Sequence, residues 1–364
     1  MNRKIAITTG DVNGIGAEIT IKALNRLELS KENVVLISNS DVLGGKCSFD
    51  YKFVEIPFDK KNILHGQITS ESGEFSFQCL KKACEMAKVG EIDAIVTAPV
   101  SKEALHLAGH KFNGQTEVLQ SFLAKEGQHA EMLFVAGDFR VLLLTRHVAL
   151  KDISLNKEEV IKKITDLNEF FRAKFGVSTP NFALCALNPH AGENGILGRE
   201  EIEILQPAVN ELREKGINIT NPLPADTLFV NAAKNYLQVN GKWKMENDTA
   251  LVEERNLEMC HCEERGTSDA AIQKNTDEAI QKETSSSIHH LPFTIHPYDC
   301  YIACYHDQGL IPIKTVASEK TVNMTIGLDV IRTSPCHGTA FDIAGKNIAS
   351  ENSMIEAILQ AIRI

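Results

Sequence analysis

Ile5-Ala-Ile-Thr-Thr-Gly-Asp-Val-Asn-Gly-Ile-Gly-Ala-Glu-Ile-Thr-Ile-Lys-Ala-Leu-Asn-Arg-Leu27 joins a β-branched apolar run, a glycine-marked turn and a helix-period stretch without a gap. Ile5 to Thr9 suits a buried strand and Ile15 to Leu27 repeats its apolar residues at helical spacing, so the segment reads strand, turn, helix. The same succession recurs outward from it. Strand-like runs lie at 34–38, 94–98, 131–135, 141–145, 182–187 and 301–305, and helix-period stretches at 72–88, 157–174 and 200–215 fall between several of them. Such alternation predicts an α/β protein with a largely parallel sheet, whose ligand crevice lies beyond the carboxyl ends of its strands.

The chain has 364 residues, on the order of two domains at ~100–200 residues each. Its 43% hydrophobic and 24% charged content is that of a globular protein, neither fibrous nor disordered. The 48 acidic against 38 basic side chains leave a net charge of -10 with no Lys/Arg block, which argues against a nucleic-acid partner. Nine cysteines without framework spacing point to reduced thiols. No stretch approaches the roughly 18 apolar residues of a membrane span, and the first ten residues lack a signal peptide's apolar core. The expectation is a cytoplasmic protein with no membrane partner.

One stretch breaks the rhythm. From about 231 to 297 the chain is polar, and Asp269-Ala-Ala-Ile-Gln-Lys274 is repeated eight residues on as Asp277-Glu-Ala-Ile-Gln-Lys282. This reads as a long inserted, disordered loop. Its Cys260-His261-Cys262, with His289 and His290, lacks the paired spacing of a zinc finger, and no metal site is expected there.

Three histidines follow strand-like runs: His147, His190 and His306. Imidazoles gathered at one sheet edge make a three-nitrogen site with open positions, as a catalytic divalent metal needs. Asp226 and Asp307 can orient such ligands or accept a substrate proton, although Asp226 serves equally as a helix cap. Gly10 to Gly16 opens a helix and suits backbone donors facing an anion, but its spacing is neither the dinucleotide fingerprint nor a P-loop, and a plain tight turn explains it as well. His337 to Lys346 is a glycine-punctuated loop whose Asp342 could bind a ribose hydroxyl pair. Lys102, Lys314, Asn323 and Arg332, with Gln115-Thr116, could clamp a phosphate or carboxylate. Asn323 and Arg332 stand out because they interrupt an apolar stretch.

These residues carry a resemblance. Thr9-Gly-Asp-Val-Asn-Gly-Ile-Gly16, Thr97-Ala-Pro-Val-Ser-Lys102, Gly114-Gln-Thr-Glu117, Leu187-Asn-Pro-His-Ala-Gly-Glu193, Pro222-Leu-Pro-Ala-Asp-Thr227, Tyr305-His-Asp-Gln-Gly309, Val322-Asn-Met-Thr-Ile-Gly-Leu328, Ile331-Arg-Thr-Ser334 and His337-Gly-Thr-Ala340 run in order along the chain. Together they resemble the 4-hydroxythreonine-4-phosphate dehydrogenase (PdxA) family of the isocitrate and isopropylmalate dehydrogenase-like superfamily. The resemblance implies two α/β/α domains with an interdomain cleft: a discontinuous cofactor-side domain, 1–128 and 309–364, and a metal and dimerisation domain, 129–308, carrying the insertion. It implies a homodimer whose site is completed across the interface.

The resemblance also assigns roles. His147, His190 and His306 match ligands of one divalent metal per subunit, zinc, magnesium or cobalt. Gln115, Thr116, Lys314, Asn323 and Arg332 match positions that hold the phosphorylated substrate, and Asp226 and Asp307, with Lys314, match catalytic positions beside the metal. His337, Gly338, Thr339 and Asp342 match the adenosine loop for NAD, where an acidic group favours a free 2′-hydroxyl. The implied reaction is oxidation of 4-phosphooxy-L-threonine with loss of CO2, giving 3-amino-2-oxopropyl phosphate for pyridoxal phosphate synthesis. The chain departs from the family pattern at Gln115, where many members have His.

Overall fold

The structure, a computed structural model, describes residues 3–44, 50–239 and 298–364. The opening segment forms β1 (Ile5–Thr8), a turn and α1 (Gly16–Arg26). There follow β2 (Val34–Ser38), β3 (Lys52–Glu55), α2 (Ser70–Lys88), β4 (Ala94–Thr97), α3 (Lys102–Leu107), α4 (Gln115–Leu123), β5 (Glu131–Ala136) and β6 (Phe139–Leu143). Next come α5 (Lys157–Phe170), β7 (Asn181–Leu184), α6 (Gln206–Glu214), β8 (Asn218–Ile219) and α7 (Ala225–Val239). After the undescribed stretch, β9 (Cys300–Ala303), α8 (His306–Ala317), β10 (Val322–Ile326), β11 (Ile331–Pro335) and α9 (Asn352–Arg363) complete the chain. Of the segment at 231–297, the first residues belong to α7; the tandem repeat, Cys260-His261-Cys262, His289 and His290 lie outside the described residues.

The strands form one sheet in the order β3-β2-β1-β4-β11-β10-β5-β6-β9-β7-β8. β3, β2, β1, β4 and β11 are mutually parallel, and so are β6, β9, β7 and β8. Antiparallel pairing is confined to the centre, at β11–β10, β10–β5 and β5–β6. The two parallel blocks therefore run in opposite directions. This refines the expected layout: the chain after β1 and β4 leaves from one edge, and that after β6, β7 and β9 leaves from the other. The three histidine-bearing loops share an edge because their strands share a direction.

Period-two alternation sorts the strand residues between two cores. On β1, Ile5 and Ile7 face the layer of α1, α5, α6 and α9, with Ile19, Leu24, Ile164, Leu212 and Ile358. Ala6 faces the other layer, where Phe75, Leu80, Leu105 and Leu119 of α2, α3 and α4 pack on Val35 and Ile95. Helices on both faces make an α/β/α arrangement, with each large buried side chain contributing roughly 1.5–3 kcal/mol. Side-chain caps fix several helix starts: Ser101 Oγ accepts the Ala104 N–H at 3.2 Å, and Asn156 Oδ1 accepts that of Glu159 at 3.0 Å. The periodicity through 157–174 overruns α5, which ends in a wider turn at Phe171–Phe175 stopped by Gly176 at φ 69°.

Candidate active site

The floor of the site is the face of the central strands. Pairing sets Asn323 against Ser334 and Phe134, and Thr325 against Arg332 and Met132, so these side chains share one side of β11, β10 and β5. Arg332 is 2% exposed. Its Nε donates to Thr97 Oγ1 at 2.8 Å, and it forms no ion pair among the described residues. Burial lowers the guanidinium to about 10, with Glu117 opposing the shift, so it is still cationic at neutral pH. An unpaired buried cation is unfavourable unless an anion completes it.

Above this floor lies a cavity of about 320 Å³. It is lined by Lys102 at the start of α3, by Gln115, Thr116 and Glu117 in the first turn of α4, and by His306, Leu310 and Lys314 along one face of α8. His147, Asn323, Arg332, His337 and Gly338 close it. Gly309 permits the approach of α8: a Cβ there would stand 2.7 Å from Leu143 and 2.8 Å from Val141, both on β6. β6 and β9 are neighbours, and the loops that follow them bring the His147 and His306 rings to 5.6 Å between centroids. Burial, then Lys102 and His306, push His147 below its ordinary value, which favours the neutral imidazole with one ring nitrogen free as an acceptor. His306 Nδ1 donates to Asp307 Oδ1 at 2.7 Å, since an ionised carboxylate only accepts, and Nε2 is left for a ligand. Asp307 thus stands behind His306 and does not line the cavity.

His190 is not in this cavity. It occupies a left-handed turn in which His190, Ala191, Gly192, Glu193 and Asn194 have φ of 50°, 55°, 78°, 43° and 57°. Non-glycine residues there are strained by roughly 1–2 kcal/mol each. His190 Nδ1 donates to Glu193 Oε1 at 2.6 Å, and Glu193, then Asp226, raise its pKa. Asp226 also accepts the Thr227 N–H at 2.7 Å in the first turn of α7. The predicted residues thus fall into two groups: His147 and His306 with the substrate residues, and His190 with Asp226. Among the described residues no three metal-type side chains stand together.

The two glycine segments meet. Ile15 N–H donates to Thr339 O at 3.0 Å, and a Cβ on Gly14 would stand 2.8 Å from the same oxygen. The Asn13 N–H goes to Asp11 Oδ1 and the Gly14 N–H to Asp11 O, so the turn holds its own donors and presents none of these to an anion. The tight-turn reading is the one that fits. His337 and Gly338 reach the cavity, whereas Thr339 is held by the turn before α1, and Asp342 is exposed and does not line it. Sequence reasoning gave no role to Glu117 or Glu193. Each lies within three residues of a chosen position, on a turn that only the backbone geometry reveals.

Relatives place the chain in a class. D-threonate 4-phosphate dehydrogenase of Bordetella bronchiseptica is 34% identical, covering 99% of this chain and 92% of its own. 4-Hydroxythreonine-4-phosphate dehydrogenase of Sulfurihydrogenibium sp. is 33% identical, covering 99% and 97%. The crystal structure of 4-hydroxythreonine-4-phosphate dehydrogenase from Klebsiella pneumoniae has a TM-score of 0.73 at 31% identity, covering 100% and 98%. The class is that of α/β oxidoreductases. The chain belongs to the family of the pyridoxal phosphate biosynthetic protein PdxA, whose family model matches residues 7–240 and 263–361.

Proposed function

We propose that the protein oxidises the secondary alcohol of 4-phosphooxy-L-threonine with NAD, followed by decarboxylation to 3-amino-2-oxopropyl phosphate on the route to pyridoxal phosphate. The observation that carries this reading is Arg332, a buried guanidinium without an ionic partner among the described residues, lining a cavity together with His147 and His306. Lys102 and Lys314 add cations for the substrate's phosphate and carboxylate. His147 and His306, with His190 of a second copy, would hold a divalent metal, which would supply positive charge to the oxidation. NAD would supply the hydride acceptor, and the loop that begins at His337 and Gly338 would hold its adenosine.

The chain's own residues do the rest. Asp307, behind His306, fixes that imidazole's tautomer without lining the cavity, and the alcohol's proton passes to solvent water. In the β-keto acid so formed, the carbon–carboxylate bond breaks, CO2 leaves, and the carbon takes a proton. Lys314 neutralises negative charge on the way. A second copy of the chain would bring His190 and Asp226 to the cavity. Exposed Ile196, Leu197 and Ile202 beside the His190 turn support such a homodimer. In this reading the cofactor-side domain is 1–128 with 309–364, and 129–308 is the metal and dimerisation domain. Among the described residues no helix is long and apolar enough to cross a membrane.

The test is NADH formation at 340 nm with 4-phosphooxy-L-threonine, NAD and a divalent metal, repeated after chelation. Metal-dependent turnover is expected; a folded, metal-loaded protein that forms no NADH refutes the reading. The D-threonate 4-phosphate relative, as similar as the other, favours one alternative, a substrate with a hydroxyl in place of the amino group.

A further inference from the structure

The turn that carries His190 is held from beneath by a buried carboxylate. Glu201, 5% exposed, opens the wide turn Glu201–Leu205 that leads into α6. Its Oε1 accepts the Leu187 N–H at 2.9 Å and the Asn188 N–H at 2.8 Å, and its Oε2 accepts Asn188 Nδ2 at 3.0 Å. Gly192, in the middle of the turn, lies against the same group: a Cβ there would stand 2.8 Å from Glu201 Oε2. From the other side Gln308 bridges the chain leaving β7 and β9, its Oε1 accepting the Cys304 N–H and its Nε2 donating to Ala186 O, each at 2.7 Å. Ala186 to Asn188, the base of the turn, is thus fixed by side chains of two separate segments.

A buried carboxylate is unfavourable in itself, and what it alone supplies is an acceptor at both ends. An amide at 201 would turn its NH2 toward either the two backbone N–H groups or the Asn188 amide. Asn188 cannot answer by turning round, because its Nδ2 also donates to Glu200 Oε2 at 2.7 Å. Left-handed residues such as His190, Ala191, Glu193 and Asn194 persist only where their surroundings over-determine them. His190 itself is exposed, so its aim comes from the backbone beneath it. We propose that Glu201 is a positioning residue for metal binding: by fixing Leu187 and Asn188 it holds the strained turn that presents His190 to the cavity of a second copy. This rests on the proposed site shared between two copies.

The experiment reads Co2+ affinity, by competition with a chromophoric chelator, in Glu201→Gln alone and after mixing with chains that lack one histidine. Alone, Glu201→Gln binds Co2+ about 10- to 100-fold more weakly than the wild type. Mixed in equal amounts and reassembled with His306→Ala, half the dimers are hybrids in which the cavity of the Glu201→Gln chain receives an intact His190 turn, and about a quarter of all cavities recover wild-type affinity. Mixed with His190→Ala none recovers, because the one His190 present stands on the defective turn. Wild-type affinity of Glu201→Gln alone overturns the proposal, as does recovery with both chains or with neither. His190→Ala mixed with His306→Ala is the control; if that mixture restores no tight site, the shared-site reading fails, and the affinity of Glu201→Gln alone decides the proposal. Should Glu201→Gln not fold, Asn188→Ala, which removes the side-chain donor to Glu201, is expected to show the same pattern and is judged by the same outcomes.

Discussion

His147 and His306 face each other at 5.6 Å between ring centroids, although 158 positions of sequence separate them, because β6 and β9 lie side by side and parallel. His190 follows β7, the next strand but on a separate strained turn, and stands with Asp226. If the metal site is shared between subunits, two defective chains can repair each other. His190→Ala and His306→Ala homodimers are expected to bind no metal tightly and to be inactive. Mixed in equal amounts and reassembled, half the dimers hold one chain of each kind and one intact site, so about a quarter of wild-type turnover returns. No recovery on mixing would place all ligands within one chain.

Arg332 separates function from stability. Arg332→Met removes an uncompensated buried charge while keeping most of the side-chain volume. Its kcat/KM is expected to fall by about 100-fold or more, with an unfolding midpoint equal to or above that of the wild type. A large drop in the midpoint would mean that the hydrogen bond to Thr97 matters more than the burial of charge.

Asp11 is a buried carboxyl raised by burial from an ordinary value near 3.8 to about 6, against hydrogen bonds from Asn13, Ser72 and Ser101 that lower it. The folded state therefore binds its proton first as pH falls. Stability from this group increases below pH 6 and declines as pH rises through 6. Between pH 7.5 and pH 5 the wild type gains about 1 kcal/mol relative to Asp11→Asn. Urea unfolding at the two pH values measures the difference, and parallel behaviour of the two proteins would refute it.

The turn at His190 tests whether strain is stored there. Ala191 has φ 55° and ψ 39°. Ala191→Gly is expected to stabilise the protein by about 1 kcal/mol and Ala191→Val to destabilise it by at least as much. Thermal unfolding decides between this and a turn that relaxes without penalty.

Much of this was readable from residues alone. The strand-turn-helix of Ile5 to Leu27 carried the α/β class, because buried strands and amphipathic helices have different periods. Asn323 and Arg332 betrayed themselves as polar residues in an apolar run, and both line the cavity. The strands that hold them did not: β10 and β11 looked like one apolar stretch, because the turn at Gly327 is short and sheet order is set by pairing far along the chain. That the two parallel blocks oppose each other was hidden for the same reason. That Gln115 Nε2 donates to the Ala98 carbonyl while Oε1 is buried without a hydrogen-bond partner is invisible to any pattern, since it depends on how distant segments pack.

The sheet order has a consequence for how the protein is made. β11 and β10 fill the gap between β4 and β5, and β9 fills that between β6 and β7, yet all three lie beyond Tyr298. While the ribosome is still at work on the earlier residues, four strands have open edges awaiting partners that do not yet exist, and such edges attract strangers. The nascent chain needs shelter until its end emerges. His306, Lys314, Asn323 and Arg332 all arrive in that last portion, so a truncated product can hold no working site.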